Sequence, residues 1–107
     1  MSPKSDKVTH QFNSLAFGSI TGTTAGTAIA LLTLTKEARI LSFENTTNLE
    51  VIVTRDGTDF WRLKASTGAI SLDVSAAGGV YRAGEVFGVY AASTPGSGLV
   101  QGLAQTT

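Results

Sequence analysis

Cysteine is absent from the 107 residues, which removes disulfide staples and thiolate metal sites at once. Histidine occurs once, as His10, and proline twice. Only 15% of residues are charged, against ~25% in an ordinary soluble domain. Eight basic residues balance eight acidic ones, so there is no cationic excess to neutralise phosphates and no nucleic-acid partner is expected. Long apolar runs are missing too. The longest, Ala28 to Leu32, is far too short for a membrane-spanning helix, and no membrane partner is expected. The opening MSPKSDKVTHQFNS has no apolar centre and does not read as a signal peptide, which points to synthesis in a cytoplasm.

Small and hydroxylic residues fill the space that charge leaves. A free monomer stays soluble through surface charge and a net charge away from zero. A neutral, charge-poor surface suits a protein whose faces are covered by neighbours, so a homo-oligomer is expected.

Met1 to Gln11 reads as a polar arm, and residues 12–107 as a single domain built of short strands between turns. In Phe12 to Ile20, Leu15 and Phe17 share a parity, and the stretch ends in a loose GSITGTTAGT connection. Ala28 to Thr35 reads as a strand in preference to a helix, because Thr27, Thr33 and Thr35 oppose a helix and no cap precedes it. ARILSFE places Leu41 and Phe43 on one face and Ile40 on the other. Asn45 to Asn48 is turn chemistry. In LEVIVTR, Leu49, Val51 and Val53 face one way, and Glu50, Ile52 and Thr54 the other. Asp56-Gly57 is a type I′ hairpin signal, since both central residues need positive φ. FWRLKA returns with Trp61 and Leu63 on one face. After the turn Ser66-Thr67-Gly68, Ile70, Leu72 and Val74 point in while Ser71 and Asp73 point out. About eight strands at this spacing predict a small antiparallel β-sandwich, jelly-roll-like or Ig-like, with an N-terminal arm.

Chemistry is hard to place on this pattern. A catalytic base must be held by a third group, and one histidine beside an arm offers none, so no enzyme is expected. Asp56 and Asp59 in DGTD imitate the start of a calcium loop, but the bidentate glutamate that should close it does not follow. Glu44 and Glu50 read as solvated acids. The Gly/Thr segment lacks the lysine and helix of a phosphate loop. No cofactor or metal is expected. Asn45-Thr46-Thr47 matches a glycosylation acceptor and reads as a turn. Trp61 could join Tyr81 and Tyr90 in an aromatic platform for a sugar or receptor; its shared parity with Leu63 favours the core. Arg55, Arg62, Lys64 and Arg82 read as a solvated face.

The segment Phe17 to Asp73, with FGSITGTTAGTAIA, ARILSFENTTNLEVIVTRDGT and FWRLKASTGAISLDVS, resembles a family of small virion proteins of tailed bacteriophages. The closing STPGSGLVQGLA is similar to the last apolar strand of such proteins. The resemblance implies a multicopy structural subunit of the virion. The first expectation is a decoration (cement) protein that clamps neighbouring major capsid proteins, and a head–tail junction or tail protein is the alternative. It implies no catalytic residues. A trimer would suit a threefold capsid site. Such a clamp attaches by adding an arm or strand edge to a neighbour. That makes Lys4, Lys7, His10 and Gln11 of the arm, and Gln105 of the tail after Leu103, the candidate partner-binding residues.

Overall fold

The computed structural model describes residues 9–73 and 80–106. Their strands are β1 (Thr9–Ala16), β2 (Ile29–Thr33), β3 (Ile40–Asn45), β4 (Val51–Arg55), β5 (Thr58–Leu63), β6 (Gly68–Asp73), β7 (Val86–Tyr90) and β8 (Leu99–Thr106). All pairings are antiparallel. β1 pairs with β8, β2 with β7, β3 with β6 and β4 with β5, so the chain is one long hairpin rolled onto itself. The result is two four-stranded sheets, β1-β8-β3-β6 (sheet A) and β2-β7-β4-β5 (sheet B). This is the jelly-roll form of the β-sandwich.

Local chemistry accounts for the centre of the roll. Asp56 and Gly57 both adopt positive φ, 50° and 86°, and join β4 to β5. Val51 and Val53 point inward and are fully buried, as are Leu41 and Phe43 of β3. The inner row of sheet A continues through register partners. Phe43 lies opposite Ile70 on one side and Gly102 on the other, while Leu41 lies between Leu72 and Ala104. At Gly102 the sheets approach so closely that an added Cβ would stand 2.9 Å from Leu32 Cδ1. Phe87 of sheet B meets Phe43 with ring centroids 5.9 Å apart and Phe60 at 5.6 Å. Each buried aromatic of this size contributes about 2–3 kcal/mol of transfer free energy.

Several expectations are corrected. The arm does not reach Gln11, because residues 9–11 already belong to β1 and pair with Ala104–Thr106. The polar end after Leu103 is no tail either. Its residues 104–106 are the last three of β8, which lies between β1 and β3. Phe17 leaves the parity of Leu15, since the chain turns into a short 3-10 segment at Phe17–Ser19. A register shift between Val53 and Thr54 inserts Phe60 as an extra residue in β5. Phe60 then packs on the core in the place expected of Trp61, which stays 41% exposed. A second shift, between Ala30 and Leu32, breaks the alternation of β2 and lets Leu31 and Leu32 both be buried. Such bulges place two residues against one and re-aim their side chains. Val74 lies outside the described residues.

The outward-assigned Thr54 is also buried, at 2% exposure. The Gly/Thr connection supplies the cover: its turn Ala25–Thr27 packs on β5 and β7, and Thr54 and Gly88 lie beneath Ala28. That connection is an ordered lid on sheet B, held by a reciprocal Thr24–Thr27 capping box.

Candidate assembly surface

Sheet A has no comparable cover among the described residues. Its outward positions form rows across four strands. Phe12, Leu103, Ser42 and Ser71 make one row; Ser14, Gln101, Glu44 and Ala69 make the next; His10, Gln105, Ile40 and Asp73 make the third. Phe12 is 59% exposed, the most exposed large apolar side chain described. Beside it, over β8, β3 and β6, lies a depression of about 440 Å³ walled by Phe12 and Leu103 and edged by Ser42, Ala69 and Ser71. The three rows hold no lysine or arginine; their charge is confined to Glu44, Asp73 and, when protonated, His10. Gln101 donates to Glu44 Oε1 at 2.8 Å, and the Ser42 and Ser71 hydroxyls lie 3.3 Å apart. A lone exposed apolar side chain is ordinary on a monomer; here Phe12 stands next to Leu103 at the rim of a depression, which makes this part of the face the candidate.

The expected partner-binding residues divide. His10 is exposed, and Gln105 is half-buried directly opposite it, so β1 and β8 bring those two together on the outer face. Gln11 points the other way. Its amide donates to Thr33 O and accepts from Thr35 N at 3.1 Å, while Asn13 Nδ2 donates to Leu31 O at 2.8 Å. These two side chains close the seam between the edges of sheets A and B, and Gln11 is therefore committed within the molecule. Lys4 and Lys7 lie outside the described residues. The sequence reading missed Phe12 and Leu103. The signal was present, since Phe12 has the parity of His10 and Ser14 and opposes that of Leu15.

A second surface lies on sheet B. Trp61, Ile52, Asp59, Phe60 and Arg62 line a shallow depression of about 410 Å³. Tyr90 donates its hydroxyl to Asp59 Oδ1 at 2.8 Å, and that bond raises the phenol's pKa above its ordinary value. Tyr81 takes no part. It is 6% exposed and stacks edge-on against Phe60 and Phe87. Arg55 stands over Tyr81, 5.2 Å from the ring centroid, and pairs with Glu85. That hydrogen bond, outweighing desolvation, holds the Glu85 carboxyl below its ordinary value.

The carboxylates do not converge. Asp56 accepts from Val86 N, Glu50 pairs with Arg62, and Glu44 faces the opposite sheet surface. Among the described residues no three His, Asp or Glu side chains gather as metal ligands would. The acceptor-like Asn45 is fully buried with its amide engaged.

Fold and surface together define a jelly-roll domain in which the described residues leave one sheet face, mostly polar with Phe12 and Leu103 upon it, without cover. No family model and no curated protein matches the chain.

Proposed function

We propose that this chain is a structural subunit of a bacteriophage particle, a decoration (cement) protein that holds neighbouring major capsid proteins and is located on the virion. The observation that carries the assembly role is the outer face of sheet A, which the described residues leave uncovered and free of lysine and arginine, with Phe12 exposed upon it. The sequence resemblance supplies the phage context, and the jelly roll is a fold of capsid domains among others. Low surface charge suits a chain held in a lattice of neighbours.

The test is the amount of the chain in purified particles of the phage that encodes it. On the order of hundreds of copies supports a shell position, and about a dozen supports the head–tail junction. Its absence from particles sinks the proposal. Phe12→Glu, which puts a charge on the exposed knob without touching the core, is expected to reduce co-sedimentation with particles at least tenfold.

A second reading, a carbohydrate- or receptor-binding module, is favoured by Trp61 alone. A 41% exposed indole beside the Tyr90–Asp59 pair can stack on a sugar ring. Cell-surface glycans should then quench Trp61 fluorescence; unchanged emission at saturating glycan removes this reading.

A further inference from the structure

The outer face of sheet A is self-complementary, and we infer that its occupant is a second copy of this chain, docked face to face about a two-fold axis running along the strands between β8 and β3. The inference rests on the reading of this face as an assembly surface and names what covers it.

The argument starts from side-chain size along one row. Phe12, Leu103, Ser42 and Ser71 lie at one level across β1, β8, β3 and β6. Two large apolar side chains occupy one half of the row and two serines the other. Rotation about that axis keeps each row at its level and exchanges left for right. Phe12 of one copy then stands over Ser71 of the second copy, and Leu103 over Ser42. The depression of about 440 Å³ over β3 and β6 receives the phenylalanine, and each copy supplies one knob and one hole. The neighbouring rows agree. Ser14 meets Ala69, which lets the sheets approach, and Gln101 meets Glu44, a donor against an acceptor. In the third row exposed His10 faces the carboxylate of exposed Asp73. Rotation about an axis across the strands at the level of that row would instead set Phe12 on Phe12 and Leu103 on Leu103, with no hole opposite either knob.

Area sets the size class of the interface. Four strands ~4.8 Å apart and six to eight residues long present a footprint of roughly 400–500 Å². A pair therefore covers roughly 1,000 Å² in total, the lower limit for a specific interface. Association at this lower limit is weak and concentration-dependent. A two-fold pair, in place of the threefold ring suggested by capsid symmetry, is what this row builds.

Sedimentation equilibrium of the full chain over a concentration series tests this, with circular dichroism confirming that each variant is folded. The wild-type mass should rise from 11.1 kDa towards twice that value. Phe12→Ser should weaken association at least tenfold, and so should Ser71→Phe, which fills the hole. The double variant Phe12→Ser/Ser71→Phe exchanges knob and hole and should regain wild-type association to within about threefold. A wild-type chain still monomeric at ~1 mM, or a double variant no tighter than the singles, overturns the inference. If the wild type is monomeric while Phe12→Glu still abolishes particle binding, self-pairing fails and the assembly reading stands. Dimerisation that follows the swap, in a chain absent from particles, upholds the pairing and removes the phage role.

Discussion

Asn45 sits at the corner where β3 leaves sheet A and the chain crosses to sheet B. Its Nδ2 donates to Leu49 O at 2.9 Å and Lys64 O at 3.0 Å, with Leu63 O at 3.3 Å sharing the donor. Its Oδ1 accepts from Thr47 N at 2.9 Å and the Thr47 hydroxyl at 2.6 Å. Both residues are fully buried, so removing the amide leaves carbonyls and a hydroxyl without partners in a dry site. Asn45→Ala should cost about 2–4 kcal/mol, read as a lower urea midpoint. Glu85 gives a pH signature. Its folded pKa lies below the 4.5 of the unfolded chain, so the Arg55 pairing contributes stability above pH 4.5. That contribution is lost as pH falls through the lower, folded value. Urea midpoints of wild type and Glu85→Gln should therefore differ by a constant amount between pH 5 and 7 and converge below 4.5. A gap that widens on acidification would contradict the assignment.

At the scale of elements, what could be read from residues follows how local the cause is. Asp56-Gly57 is legible because positive φ is a property of those two residues, and β4 and β5 follow from it. The identity of β2 as a strand is legible from its β-branched flanks. The two register shifts are not, because a bulge is decided by which partner residue each carbonyl meets across the sheet. Hence Trp61 reads as core from parity, while the structure puts Phe60 there and leaves Trp61 out. The seam between β1 and β2 is hidden for the same reason. Gln11 and Asn13 are polar by composition, and only the packed sandwich shows them bonded to the backbone of β2. Of the candidate surface, His10 and Gln105 were legible as chain-end polar residues. Phe12 carried only its parity against Leu15 and Leu103 only its place between Gly102 and Ala104, and which parity faces inward is decided by the packed sheet.

The whole molecule depends on pairing its two ends. β1 and β8, the first and last strands, lie side by side, and β8 also pairs with β3. A polar chain end would be dispensable as an arm; as the second strand of sheet A it is not. Truncation after Gly102 strips partners from Thr9–Phe12 and from Ile40–Ser42. The shortened chain should show no cooperative thermal transition and no fixed near-UV circular dichroism, whereas a retained sharp melt would restore the tail interpretation. Composition and periodicity by themselves determined an all-β sandwich without thiols, because those follow from residue types and a period of two. Strand order, the bulges, the lid on sheet B and the face of sheet A that the described residues leave uncovered were decided only by the tertiary structure. They depend on contacts between residues distant in the chain, and no local pattern specifies which sheet the Gly/Thr connection will cover.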